Sequence, residues 1–135
     1  MRVKYYQVSG DAVFKKLVSL LDGIPEVKIA VLFGSVLRRC YVRDVDLGVY
    51  MDPEPDLKGF IAFCNMIEDV LGIPVDVVPL KNAPPKLRLK ALLMGRRLIV
   101  RDNKLYAYLL SETLSEVVDV DLKLRNVTKN DKNKG

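Results

Sequence analysis

Hydrophobic and polar residues follow two patterns along this chain. In the first, apolar residues return every three or four positions, as Val13, Leu17 and Leu21 do, which places them on one face of a helix. In the second, a few residues form a short and almost continuous apolar run, which is typical of a strand covered on both faces. The first pattern, together with residues that suit helix ends, predicts helices over 10–23, 56–72, 82–95 and 102–126. The second pattern predicts strands over 27–33, 45–51, 73–80 and 96–102.

The alternation of these segments favours one fold class. It predicts an α/β (α+β) fold in which a small mixed β-sheet is flanked by helices. The β-prone residues 1–8 add a short edge strand, and residues 36–40 a short helix. With 135 residues, the chain is long enough for one domain with a real core and too short for two typical domains. We therefore expect a single domain over 1–125, followed by a basic, disordered tail over 126–135.

The net charge of +5 is carried mainly by the end of the chain. Residues 123–135 hold five lysines or arginines against one aspartate. This composition is more typical of a solvated tail than of an arm that binds nucleic acid, so we do not expect a nucleic-acid partner. RNA binding through the tail stays open as a weaker alternative, and deletion of 126–135 would test it.

Composition excludes several classes of function. No apolar run approaches the roughly 20 residues of a membrane span, and residues 1–14 lack the features of a signal peptide. Cys40 and Cys64 form no Cys-x-x-Cys pair, so reduced thiols in a cytoplasmic protein are expected. Histidine is absent, which excludes Ser-His-Asp and Cys-His catalysis and the usual histidine-containing zinc sites. Chemistry must then rest on carboxylates, on a metal held by oxygen, or on Lys and Arg.

Two aspartates stand at the start of the second predicted strand, in the sequence "RDVDLGVY". Asp44 and Asp46 are two residues apart, so in a strand they project to the same face, roughly 6–7 Å from each other. Carboxylates this close repel each other unless a cation is bound between them. Mg²⁺ suits such a pair, since it takes one or two carboxylates together with phosphate oxygens and water. In the alternative, structural interpretation, Asp44 caps the turn and Asp46 pairs with an arginine.

A third aspartate lies in the next predicted strand. Asp76 is the only charged residue in the apolar segment "PVDVVPL". Burying this carboxylate without a partner would be costly, so it either points outward or meets a partner. If the two aspartate-bearing strands are neighbours, Asp44, Asp46 and Asp76 can converge on one or two metal ions.

A glycine and a serine follow the first predicted strand. Glycine lets the backbone approach a ligand closely, and a serine hydroxyl near backbone N–H groups binds phosphate well. Gly34 and Ser35 therefore predict a phosphate site, and Arg38 is near enough in sequence to reach the same phosphates. The segment is neither a P-loop nor a Rossmann fingerprint, because it has no Gly-Lys-Ser/Thr and no three spaced glycines. A phosphate site facing metal-binding carboxylates is typical of metal-assisted phosphoryl or nucleotidyl transfer.

The segment "LFGSVLRRCYVRDVDLGV" resembles the signature of the DNA polymerase β-like nucleotidyltransferase superfamily. The shared pattern is an apolar strand, Gly-Ser, an arginine three residues later, Asp-x-Asp on the next strand, and a third aspartate on a later strand, matched here by Asp76. The chain is similar to the short minimal nucleotidyltransferases over roughly residues 10–125. This resemblance implies a polymerase β-like fold and a Mg²⁺-dependent transfer of a nucleoside monophosphate, with AMP from ATP as the expected case.

The resemblance also implies roles for individual residues and for a partner. Gly34 and Ser35 would hold the phosphates and Arg38 would steady them. Asp44 and Asp46 would bind Mg²⁺, as one or two ions, and Asp76 would complete the metal site and help to deprotonate the acceptor. Many such proteins are antitoxins paired with a HEPN ribonuclease toxin, where AMP is inferred to pass to a tyrosine of the partner.

This chain departs from the family pattern at three points. The loop between Ser35 and Asp44 is shorter than in relatives, Arg39 stands where glycine is usual, and Arg43 stands where serine is usual. None of these changes removes a carboxylate, so we expect the activity to be retained. Extra cations near the site are expected to tighten phosphate binding or to change which acceptor fits.

Two functions from different classes stay open. The first is the nucleotidyltransferase, with a protein hydroxyl as acceptor. The second is a non-catalytic module that binds nucleotide or metal and neutralises its partner by direct binding. The final predicted helix has enough apolar positions to dock a helical partner or a second copy of the chain, although core packing would produce the same pattern.

Overall fold

The computed structural model describes residues 3–133, with side chains described through residue 126. Its strands are β1 (Tyr6–Gln7), β2 (Val27–Phe33), β3 (Tyr41–Val42), β4 (Val45–Met51), β5 (Val75–Pro79) and β6 (Arg96–Val100). Its helices are α1 (Gly10–Asp22), α2 (Leu57–Leu71), α3 (Pro85–Met94) and α4 (Asn103–Asn133), with a one-turn 3-10 helix over Gly34–Leu37. The predicted order of helices and strands is confirmed except for β3, a two-residue strand that the sequence analysis does not predict.

The main sheet has four strands in the order β5-β4-β2-β6. β2 is antiparallel to both of its neighbours, and β4 is parallel to β5. The sheet is therefore mixed, as the sequence predicts. The expected strand near the start of the chain lies outside this sheet, because within residues 3–133 β1 pairs only with β3, in a separate antiparallel ribbon.

Helices cover both faces of the sheet. On one face, α1 and α2 pack against Leu32 and Leu47 through buried residues such as Leu17 and Ile67. On the other face, α3 and α4 pack in a second cluster; among its members are Ile29, Val31, Phe33, Val78, Leu92 and Tyr106. β2 contributes alternate residues to the two clusters, which explains why its sequence is apolar throughout instead of alternating.

Polar contacts hold the two helices of the second face together. The buried Arg88 of α3 donates from Nε to Oγ1 of Thr113, at 2.6 Å, and from Nη2 to a carboxylate oxygen of Glu116, at 2.5 Å, both on α4. The Tyr106 hydroxyl of α4 donates to the carbonyl of Leu92 on α3. These contacts fix α3 against α4, and α3 borders the candidate site described below.

The last helix is longer than the sequence predicts. α4 continues to Asn133, into the segment 126–135 for which a disordered tail is predicted. The segment contains no proline, and its only glycine is the last residue, so nothing in it terminates a helix early. Residues 134–135 lie outside the described part of the chain, and the domain boundary at 125 stays a prediction. Among the described residues, no helix combines the length and the apolar character needed to cross a bilayer.

Candidate functional site at the amino ends of β4 and β5

The structure brings the three predicted aspartates to one end of the sheet. Asp46 and Asp76 are direct partners in the parallel ladder of β4 and β5, and Phe33 of β2 is opposite Asp46 on the other side. Because directly opposed residues point to the same face, these three side chains form a row across the sheet. Asp44 lies just before β4, close enough for its charge to act on Asp46. The row lies on the face covered by α3, since Phe33 and Val78 belong to the cluster on that face.

Asp46 is the electrostatic centre of this group. Burial, and to a smaller extent the charges of Asp44 and Asp76, raise the pKa of its carboxyl from 3.8 to about 6. Lys90 of α3 acts in the opposite direction. The described residues provide the side chain of Asp46 with neither a hydrogen bond nor an ion pair, so the structural alternative in which an arginine pairs with it does not hold.

Position 34 requires glycine because the backbone there lies so close to Asp46. A Cβ atom added to Gly34 would lie 2.0 Å from Oδ2 of Asp46, far inside van der Waals contact. The φ angle of Gly34 is also +82°, in the left-handed region that side chains rarely adopt. The turn after β2 therefore passes directly over the Asp46 carboxylate, and only glycine allows this approach.

The turn continues as a single turn of 3-10 helix over Gly34–Leu37. The carbonyl of Ser35 accepts the backbone N–H groups of Arg38 and Arg39, at 3.0 and 2.9 Å. The short helix predicted over 36–40 is thus shifted toward the glycine and is tighter than an α-helix. This brings Ser35 and the arginines close to the carboxylates.

Two clefts flank the turn. The first, called the apolar cleft here, has a volume of about 260 Å³ and is lined by Phe33, Gly34, Leu37, Arg38, Lys90 and Met94. The second, the arginine cleft, has a volume of about 350 Å³ and is lined by Tyr5, Ser35, Arg39, Tyr41, Val42, Arg43 and Asp44. The predicted phosphate-site residues are divided between them, with Gly34 and Arg38 in the apolar cleft and Ser35 in the arginine cleft.

A further cleft, of about 210 Å³, opens at the opposite end of β4. Its lining includes Tyr50, Phe60 and Lys81 and none of the predicted site residues. Its distance along β4 from Asp46 leaves it outside the candidate site.

Lys90 is the site residue that sequence reasoning missed. It lines the apolar cleft and acts electrostatically on Asp46, yet it is far from the Gly-Ser and Asp-x-Asp segments in sequence. In the sequence it is one of several lysines and arginines on a predicted helix, and such residues are usually solvated. Only the packing of α3 against the sheet distinguishes it from the others.

The donor set can be compared with the needs of a hard divalent cation. Among the described residues, no group of three or more His, Cys, Asp or Glu side chains stands ready to hold a metal ion. Mg²⁺ does not require such a cage, because it is usually bound by one or two carboxylates together with substrate phosphates. Asp44 and Asp46, side by side and facing the turn, fit that requirement. The arrangement can hold a metal-bound phosphate chain, with a neighbouring carboxylate placed to accept a proton.

The chain matches the model of the family described as polymerase beta, nucleotidyltransferase, over residues 15–104. The matched segment contains all six predicted site residues. No curated protein matches the chain at a significant level.

Solved structures resemble the whole fold. One is a toxin–antitoxin structure with AMP-PNP, at 22% identity and a TM-score of 0.72, covering 87% of this chain and 96% of the other. A second is a tri-AMPylated Shewanella oneidensis HEPN toxin in complex with MNT antitoxin, at 20% identity and a TM-score of 0.71, covering 90% and 97%. A third, the MntA–HepT toxin–antitoxin, has 20% identity and a TM-score of 0.69, covering 89% and 97%. At these identities the likeness concerns the fold.

Proposed function

The chain belongs to the polymerase beta nucleotidyltransferase family, and we propose that it transfers a nucleoside monophosphate, AMP from ATP, to a hydroxyl acceptor in a Mg²⁺-dependent reaction. The observation that carries this proposal is the pair formed by Asp46 and Asp76 on neighbouring strands, with Asp44 close by and Asp46 directly under the glycine turn. A structural role does not explain why three carboxylates that repel each other are placed together beside such a close approach of the backbone.

Each site residue then has a task in the transfer. Gly34, Ser35 and Arg38 hold the phosphate chain, and Asp44 and Asp46 hold Mg²⁺, as one ion or two. When bound, Mg²⁺ neutralises phosphate charge and favours departure of pyrophosphate. The acceptor oxygen forms a bond to the α-phosphorus, the bond between the α-phosphorus and the bridging oxygen breaks, and pyrophosphate leaves. Asp76, the exposed member of the row, completes the metal site and accepts the acceptor proton.

The partner is the second part of the proposal. Because the similar solved structures include a HEPN toxin bound to its MNT antitoxin, we propose that the acceptor is a tyrosine of a HEPN-type partner and that the chain acts as its antitoxin. The free thiols of Cys40 and Cys64 suit the reducing cytoplasm, where we place the pair.

Transfer of labelled nucleotide tests the proposal directly. The protein is incubated with Mg²⁺, ATP labelled at the α-phosphate, and the HEPN protein encoded beside it. We expect one or more AMP groups on the partner, loss of labelling in the Asp44→Asn/Asp46→Asn double variant, and normal labelling in Asp119→Asn, whose side chain is exposed on α4. Absence of label on the partner and on small hydroxyl acceptors would refute the enzymatic function.

One observation favours the alternative of a non-catalytic module. On α4, Leu114, Val118 and Leu122 are exposed at 42%, 55% and 51% and follow each other at a spacing of four residues. Such an apolar row is a surface for a helical partner or for a second copy of the chain. If the double aspartate variant neutralised the toxin as well as the unmodified protein does, direct binding would be the sufficient function.

A further inference from the structure

The arginines of the arginine cleft differ from three other arginines of the described chain. Arg88, Arg96 and Arg101 each bind a carboxylate or carbonyl group of the protein itself. The side chains of Arg39 and Arg43, in contrast, make no hydrogen bond or ion pair within the described residues. Both line the arginine cleft. Two guanidinium groups without protein partners, in one cleft beside the reaction site, are available to a ligand that carries negative charge.

The ribbon of β1 and β3 holds this cleft in shape. Tyr6 is opposite Val42, and Gln7 is opposite Tyr41. Since side chains alternate along a strand, the burial of Val42 on one face directs Tyr41 and the following Arg43 to the other. Tyr5 joins them at the cleft wall, and Asp44 reaches the same cleft. Tyr41 therefore stands on a paired strand, and Tyr5, Arg39 and Arg43 lie in the segments next to the ribbon, in the same cleft as Asp44.

The other side of the turn is better suited to the nucleotide. The apolar cleft offers Phe33, Leu37 and Met94 to a flat base, and Lys90 and Arg38 to phosphates. The Gly34–Ser35 turn separates the two clefts, and the Asp46 carboxylate lies beneath it. With the base on the apolar side and the phosphates held at the turn, the part of the arginine cleft lined by Arg39 and Arg43 is the open approach for the acceptor.

We propose that the arginine cleft is the acceptor subsite and that it selects a peptide segment whose reacting hydroxyl lies among acidic side chains. This inference rests on the proposed function for the identity of the reaction, and it specifies the substrate class. Arg39 and Arg43 bind the acidic residues on either side of the hydroxyl, which positions the acceptor oxygen for attack on the α-phosphorus, with the same bonds made and broken as described above.

Peptide binding tests the inference without any transfer reaction. Three fluorescent peptides carry a central tyrosine flanked by glutamates, by glutamines or by lysines, and their binding to the full chain is measured by anisotropy at low salt. We expect the glutamate peptide to bind about tenfold more tightly than the glutamine peptide, because two partly solvated charge pairs each contribute a few-fold. The lysine peptide should bind weakest. The Arg39→Gln/Arg43→Gln double variant should bind the glutamate and glutamine peptides equally, whereas Arg125→Gln, on α4, should behave as the unmodified protein.

Steady-state kinetics of the transfer reaction distinguish the roles of the two clefts. In the double arginine variant we expect the KM for the glutamate peptide to rise about tenfold while the KM for ATP changes less than twofold. A raised KM for ATP with an unchanged KM for the peptide would assign the arginine cleft to the nucleotide and overturn the inference. Equal binding of all three peptides, or displacement of the glutamate peptide by a short oligonucleotide that binds more tightly, would overturn it as well.

Failure of the proposed function gives a different result. Arginine-dependent binding of the glutamate peptide without any transfer would refute the nucleotidyltransferase reaction and leave the cleft as a binding site for acidic segments. Transfer to all three peptides with equal KM would instead support the nucleotidyltransferase reaction and refute the selection of acidic segments by the arginine cleft.

Discussion

Replacing Asp46 with asparagine should stabilise the ligand-free protein at neutral pH. Burial and the charges of Asp44 and Asp76 raise the pKa of Asp46 to about 6, so the folded chain is less stable when this carboxylate is ionised. Asparagine has nearly the same shape and no charge. Because the described residues give Asp46 no hydrogen bond or ion pair, the substitution removes repulsion and breaks no contact of that kind.

The size of the effect follows from the pKa shift. A rise from 3.8 to about 6 corresponds to at most about 3 kcal/mol of lost stability at neutral pH. Asp46 is only half-buried, and solvent screening reduces the gain expected from asparagine to about 1 kcal/mol. For a chain of this length, that gain raises the Tm by about 3–5 °C.

The gain in stability from Asp46→Asn should depend on pH. A carboxyl whose pKa is higher in the folded state takes up its proton at a higher pH than the unfolded chain does, so this group favours folding as the pH falls. The loss of stability caused by the ionised Asp46 carboxylate is therefore complete above pH 6 and declines between pH 6 and 4. The advantage of Asp46→Asn should therefore be largest at pH 7.5 and mostly lost at pH 4.

Thermal unfolding at both pH values, with and without MgCl₂ and AMP-PNP, is the assay. The added ligands should raise the Tm of the unmodified protein and leave that of Asp46→Asn unchanged, because a carboxylate that holds the metal is gone. Asp119→Asn, exposed on α4, should shift the Tm little at either pH and should keep the response to ligands. A clear fall in Tm for Asp46→Asn without ligands, equal at both pH values, would identify Asp46 as a structural partner and refute the reasoning.

Three further predictions concern the surroundings of the site. Gly34→Ala should lower the free energy of unfolding by about 1–2 kcal/mol and abolish transfer, because alanine is strained at a φ of +82° and its methyl group would collide with Oδ2 of Asp46. Urea unfolding and labelling measure the two effects, and an active, stable variant would contradict the close approach. Lys90→Gln should raise the KM for ATP several-fold with a smaller change in kcat, because it removes a cation from the apolar cleft; an unchanged KM would exclude Lys90 from phosphate binding. Arg88→Ala should lower the free energy of unfolding in urea by about 3 kcal/mol, because it leaves Glu116 and Thr113 without their shared partner. A loss under 1 kcal/mol would show that α3 and α4 are held together by apolar packing alone.

The helices and strands could be predicted from the sequence because their signals are local. A helix repeats its apolar residues every three or four positions and a strand alternates its faces, so β2 and β4 were placed at their observed bounds. For the same reason, the sequence predicts a common face for Asp44 and Asp46 from their spacing alone. The end of α4 was less predictable, because polar residues such as those after residue 125 are compatible with both a helix and a tail.

The assembly of the site depended on contacts between distant parts of the chain. Whether Asp76 meets Asp46 is decided by the register of β5 against β4, and a shift of one residue would have turned Asp76 to the opposite face. Lys90 reaches the site only because α3 packs on that face, and the arginine cleft exists only because β1 pairs with β3. The sequence alone therefore identified the candidate residues Gly34, Ser35, Arg38, Asp44, Asp46 and Asp76, but not Lys90. Which of them meet was decided by strand register and helix packing, since these depend on the free energy of the whole core and not on any single segment.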